Sequence, residues 1–181
     1  MRGINDLLKH DAEINLSVKA NYVGEVFVQN EQKINRNEKE YHAAELFELV
    51  RDKLSVGELN QAVEELENAG LVKTRKFPGT EPYSFAYVMP NNFFFLKFRS
   101  GLYYDPLKDL QLVLEQILKH NFIDGIKLEK FTNLPVCRVN RAVDLLDALK
   151  IVKTYRCQGT DPYTFAFAEA MPVTWDFYDH F

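Results

Sequence analysis

Arg138, Asn140 and Arg141 lie within one helical turn of the segment VCRVNRAVDLLDALK. An arginine can donate two parallel hydrogen bonds to guanine, and an asparagine can do the same to adenine. Residues of these types at this spacing could therefore meet base edges. Lys127 and Lys130 lie just upstream, where they could hold phosphates. Lys73, Arg75 and Lys76, and again Lys153 and Arg156, supply further cations that could contact phosphate. Plainer readings stand beside these. Two arginines on an exposed helix are ordinary solvated charges, and lysines on an edge strand block aggregation. Leu145 and Cys137 on the same side as the arginines suit a protein partner better than a phosphate backbone.

Other chemistry finds little to work with. The sequence has no glycine-rich phosphate loop, no HExxH, no pair of CxxC motifs and no GxSxG. His10, His42, His120 and His180 are scattered, and Cys137 and Cys157 have no ligand spacing. We therefore expect no catalytic residues, no metal and no cofactor. A thiol at a helix N-terminus has a depressed pKa, which would make Cys137 reactive, although a small packing residue is the simpler reading. The net charge of −4 argues against coating nucleic acid through bulk charge but leaves room for a local basic face. No apolar run reaches the roughly 18 residues of a membrane span, and the N-terminal MRGINDLLKHDAEI lacks the apolar core of a signal peptide. Two cysteines do not make a disulfide framework, so a reducing cytoplasm is the expected location.

The elements that must position these residues come from a repeat. Residues 54–88 and 134–168 align without a gap, with about 15 of the 35 positions identical. That length of ungapped match indicates an internal duplication. In each copy apolar residues recur with helical period, at Val56, Leu59, Val63, Leu66 and Ala69 and at Val136, Val139, Val143, Leu146 and Leu149. Ser55 and Glu58 form a capping box on paper. Thr132 or Asn133 would cap the second helix, with Pro135 in its first turn. Gly70 suits a left-handed helix stop, and Lys150 in its place implies a different stop in the second copy. The period then changes to two. Strands are expected at 71–75 and 151–155, then a G-T-[ED]-P-Y turn, then strands at 83–87 and 163–167, giving a hairpin in each copy.

Shorter helices precede the repeated ones, at 42–52 and 125–132. Residues 105–120 make a strong helix capped by Asp105. Residues 17–31 should supply the first helix of the first domain, although their valines and the central Gly24 suit a strand nearly as well. Residues 3–13 suggest a short amphipathic helix, and 32–41 a mobile polar connector. Both copies end in a Met-Pro aromatic tail. Phe93, Phe94, Phe95 and Phe98 in the first, and Trp175, Phe177 and Tyr178 in the second, would seal a domain–domain or partner interface. Leu114 and Ile117 would add a dimer contact.

Helix, turn, longer helix, hairpin: LSVGELNQAVEELENAGLV followed by KTRKFPGTEPYSFAYV resembles the third helix and wing of the winged helix-turn-helix superfamily. The expected fold class is therefore α+β, two tandem winged-helix domains of three helices and a wing each, at 1–98 and 99–181. The resemblance implies binding of double-stranded DNA for transcription or replication control. Arg138, Asn140 and Arg141 would then contact bases, and Lys127, Lys130, Lys73, Arg75, Lys76, Lys153 and Arg156 phosphates. The acidic third helix of the first copy (Glu58, Glu64, Glu65) opposes groove entry. It points to an alternative, a non-enzymatic adaptor resembling the kleisin-binding tandem winged-helix subunits of chromosome-condensing complexes, with a protein partner. A homodimer, or a bare dimerisation module in a defence or mobile-element system, is a third possibility.

Overall fold

The computed structural model describes residues 14–31 and 40–178. The amphipathic segment 3–13 and most of the connector 32–41 lie outside the described residues. The chain divides into two compact units, one within Ala12–Tyr104 and the other including Asp105–Phe181. Residues 99–104 thus belong with the first unit.

The first unit runs α1 (Val18–Glu31), β1 (Tyr41–His42), α2 (Ala43–Val50), α3 (Val56–Asn68), β2 (Val72–Arg75), β3 (Tyr87–Pro90) and α4 (Asn92–Lys97), and closes with a 3-10 turn at Arg99–Gly101. The second repeats that order as α5 (Pro106–His120), β4 (Phe122–Asp124), α6 (Gly125–Thr132), α7 (Val136–Ala148), β5 (Val152–Tyr155), β6 (Phe167–Ala170) and α8 (Pro172–Tyr178). The class is α+β, with a three-stranded antiparallel sheet in each unit, ordered β1-β3-β2 and β4-β6-β5.

The segment 17–31 is helix despite its valines. Val23, Val26 and Val28 are buried in the first unit's core, and packing overrides propensity. Gly24 has a packing reason. A Cβ there would stand 2.1 Å from the ring of Phe98, so only glycine lets that aromatic ring close on α1. Ser55 and Glu58 form the expected capping box on α3. Asp105 caps α5 by accepting from the Leu107 N–H at 3.0 Å.

Three local expectations are corrected. Thr132 and Asn133 do not cap α7. Pro135 is its N-cap residue, and no side chain caps the helix there. The stop after α7 is the same as the stop after α3. Lys150 itself adopts the left-handed conformation at φ 62°, as Gly70 does at 70°. In both copies the next two N–H groups reach back into the helix: Gly70 to Glu67 and Leu71 to Leu66, Lys150 to Asp147 and Ile151 to Leu146. This hydrogen-bond pattern terminates both helices, and the lysine accepts backbone strain to keep it. Finally, 83–86 and 163–166 are irregular rather than strand. Pairing begins at Tyr87 opposite Arg75 and at Phe167 opposite Tyr155, because Phe85 and Phe165 turn into the core. The short β1 and β4 escaped the sequence pattern, being only two and three residues long.

Candidate interaction surface

The third helices, α3 and α7, carry the residues with the clearest chemical potential, and the structure uses several of them internally. Asp109 of α5 is buried, and Arg138 grips it through two parallel bonds, Nε to Oδ2 at 2.7 Å and the second guanidinium nitrogen to Oδ1. Asn140 is buried as well. Its amide donates to the Pro162 carbonyl at 2.9 Å and its oxygen accepts from the Thr164 N–H at 3.2 Å. The expected exposure of Asn140 and Leu145 is therefore corrected, since both face inward. Arg141 is half-buried, and burial brings its guanidinium down to about 10, still charged at neutral pH. Burial also pushes the Cys137 thiol up, against the depressed value expected at a helix N-terminus.

The first unit repeats the asparagine and changes the charge. Asn60 donates to the Pro82 carbonyl at 3.1 Å and accepts from the Ser84 N–H at 3.0 Å. One asparagine in each copy thus ties the irregular part of the hairpin to the third helix. Glu58 meets Lys19 at 2.9 Å. Hydrogen bonds from Lys19 first, and then from the Ser55 backbone and hydroxyl, hold its carboxyl well below the usual carboxylate range, at about 2. Glu65 accepts from both the N–H and the hydroxyl of Ser17 at 2.6 Å.

The candidate phosphate ligands are spread over the two hairpins and α6. Arg75 pairs with Glu40 at 2.9 Å, Lys127 with Asp124 at 3.3 Å, and Arg156 with Asp144 at 3.1 Å. Lys73, Lys76 and Lys130 are exposed. The Lys153 ammonium lies 4.6 Å from the centroid of the Tyr155 ring.

The aromatic tails form helices α4 and α8. Phe94 and Phe98 are buried in the first unit's own core, with Phe93 and Phe95 packed against it. Leu114 and Ile117 are fully buried in the single chain, which removes them as a dimer contact. Tyr178 donates its hydroxyl to Glu115 at 3.2 Å, and Trp175 is exposed. The Phe177 side chain lies outside the described set.

One surface was not anticipated. On the solvent face of the second sheet, Phe122 stacks on Phe167 with centroids 4.5 Å apart and meets Tyr155 edge-on at 5.7 Å. These rings are 47, 38 and 37 % exposed, in the order Phe122, Phe167, Tyr155. The Tyr155 hydroxyl donates to Glu169 at 2.5 Å and so fixes the cluster's rim. The register that pairs Tyr41 with Val88 and Ile123 with Ala168 makes Glu40 the counterpart of Phe122, and Arg75 that of Tyr155. An ion pair in one unit is thus an aromatic pair in the other. The alternation of Phe122 with buried Ile123, and of Tyr155 with Thr154, was a period-two signal readable in the sequence once β4 was known to be a strand.

Among the described residues no group of three or more His, Cys, Asp or Glu side chains could hold a metal ion, and no helix is long and apolar enough to cross a membrane. No family model, no curated protein and no solved structure matches the chain.

Proposed function

We propose that the chain is a pair of tandem winged-helix domains working as a non-enzymatic adaptor, and that its second domain holds another protein through the Phe122–Tyr155–Phe167 face. The observation that carries this reading is the exchange of Glu40–Arg75 for Phe122–Tyr155 at equivalent positions. Beside Tyr87 in one copy and Phe167 in the other, the same sheet face carries an ion pair in the first and a half-exposed aromatic pair in the second. Exposed aromatic rings with fixed geometry are the kind of anchor that protein interfaces use. The element order helix, strand, helix, helix, hairpin supports the winged-helix part of the proposal.

Double-stranded DNA is the second reading, in the service of transcription or replication control. It is favoured by the exposed lysines repeated on both hairpins, Lys73 and Lys153, with Lys76 beside the first. It has lost much of its base-reading set. Arg138 and Asn140 serve the fold, and a net charge of −4 gives no general attraction to phosphate.

Two variants separate the readings. Phe122→Glu/Tyr155→Arg transplants the first unit's ion pair onto the second sheet, and Lys73→Glu/Lys76→Glu reverses the basic hairpin. The adaptor reading expects no binding to a mixed duplex DNA pool by fluorescence anisotropy at ~50 mM salt, where phosphate contacts are strong. It also expects a protein captured by the parent and lost from the transplant, with the interaction rebuilt from purified components. Salt-sensitive DNA binding that the lysine variant abolishes and the transplant leaves intact would overturn it in favour of DNA. Identical protein capture by parent and transplant would remove the aromatic face as the site.

A further inference from the structure

In each unit the first helix packs on the third, α1 on α3 and α5 on α7. The charges at these two interfaces have opposite polarity. In the first unit the cation is on the first helix, where Lys19 meets Glu58. In the second the anion is on the first helix, where Asp109 meets Arg138. Glu58 and Arg138 occupy the same place in the repeat, so the reversal is a substitution at matched positions. The next matched position on the same side differs as well. Glu65 bonds Ser17 ahead of α1, whereas its counterpart Leu145 is buried.

We propose that this reversal is a matching code. It admits each first helix only to the third helix of its own unit, and so keeps a duplicated chain from exchanging helices between its units or between two copies of the chain.

Duplication creates the hazard. Two units with a shared element order and closely related third helices offer each first helix two similar grooves, and helix exchange between like units is an easy route to misassembly. With the present charges both wrong pairings are penalised. Docking α1 on α7 would bring Lys19 to Arg138 and leave Asp109 behind. Docking α5 on α3 would carry Asp109, a buried carboxylate, toward Glu58, with no cation to meet it. A buried charge stripped of its partner is far costlier than a lost surface pair. The Asp109–Arg138 pair therefore sets the discrimination, and the more exposed Lys19–Glu58 pair adds repulsion against the wrong partner. Naturally specific interfaces combine such an attractive element with a repulsive one.

The test removes the discrimination and leaves the buried pair untouched. In Lys19→Glu/Glu58→Arg, a substitution at partly exposed positions, the first unit takes the polarity of the second. Asp109 could then dock on either third helix. A control, Lys19→Gln/Glu58→Ala, loses the same ion pair and the same half of the capping box that the arginine removes. All three 181-residue chains are unfolded in urea, refolded over a range of concentrations, and sized by chromatography with light scattering. The expected result is a several-fold rise in concentration-dependent oligomers for the polarity-matched variant, with the control refolding like the parent. If the matched variant gives the same distribution as the parent, the proposal fails. If matched variant and control rise together, lost stability is the cause and the proposal fails equally.

Discussion

The first unit closes its helix interface with charges at the surface, and the second closes the equivalent interface with a charge pair drawn inside. Glu58 and Lys19 are both partly exposed, at 37 and 47 % of their side chains, whereas Asp109 is 4 % exposed. The same contrast recurs on the sheets, where Glu40–Arg75 in one unit corresponds to Phe122–Tyr155 in the other. What the two units share is the set of backbone ties. Asn60 and Asn140 hold the hairpin, and Glu67 and Asp147 accept from the N–H of Thr74 and Thr154 at 2.8 and 3.3 Å. Duplication has kept what shapes the backbone and let the side-chain electrostatics diverge. Identical residues in this repeat therefore mark fold, and the positions that differ most sharply in chemistry mark where the two units have diverged.

The contrast is broken most severely at Arg138. Arg138→Ala leaves the Asp109 carboxylate buried without its cation, and we expect a loss of about 3 kcal/mol from the second unit. Glu58→Ala, at the same repeat position, loses a surface pair and half a capping box and should cost the first unit distinctly less. Urea unfolding followed by tryptophan fluorescence reads the second unit, because Trp175 is the chain's single tryptophan, and hydrogen exchange at the α3 amides reads the first. Replacing both partners, as Asp109→Leu/Arg138→Met, should recover most of the Arg138→Ala loss, since no charge is then left buried. Equal losses at the two positions would mean that the interfaces are energetically alike and the difference in burial carries no weight.

The shared ties should differ only in degree. Asn140→Ala strips two bonds inside the unit and leaves the Pro162 carbonyl and Thr164 N–H in search of partners, for an expected cost of about 2 kcal/mol. Asn60→Ala removes the same two bonds at a half-exposed site where water can replace them, for about 1 kcal/mol. Hydrogen exchange at the Ser84 and Thr164 amides would show whether each loss is local to its hairpin. Faster exchange at Thr164 in Asn60→Ala would contradict the assignment of one tie to each unit.

How much of this was legible depended on the range of the interaction. The repeat, α5 with its Asp105 cap, and the Ser55–Glu58 box all rest on neighbours within a few residues and could be read directly. The position of α1 was read too, but its helical state was not settled against a strand, because Gly24 reads as a helix breaker until Phe98, distant in sequence, is seen to fill its space. Lys150 misled for a related reason, as the left-handed stop is enforced by the fold and not by its own residue type. The candidate site suffered most. Periodicity marked Asn140 and Leu145 as outward because it records only the apolar stripe. Asp109 went unremarked because a carboxylate on an otherwise amphipathic helix is ordinary until its partner is known. The identity of Asn60 and Asn140 across the two copies was the one available hint that this position serves the backbone.

The smallest effect tests the surface side of the comparison through pH. The folded-state value for Glu58 is about 2, against an ordinary 4.5. A carboxyl depressed in the folded state contributes stability that is fully present above its unfolded value and is lost as pH falls through the folded one. Stability from Glu58 should therefore be level above about pH 4.5 and fall away toward pH 2. The bonds from Lys19 are the largest cause, so Lys19→Ala should move the carboxyl midpoint back toward the ordinary value, with the Ser55 bonds retaining part of the depression. An NMR titration of the Glu58 side-chain carbon in parent and variant measures both points. Because the group is exposed, added salt should weaken the Lys19 contribution. A midpoint in the parent near 4.5, unmoved by Lys19→Ala, would show that the first unit's pair exerts no hold on its carboxylate, and the polarity contrast between the units would then rest on Asp109 and Arg138 alone.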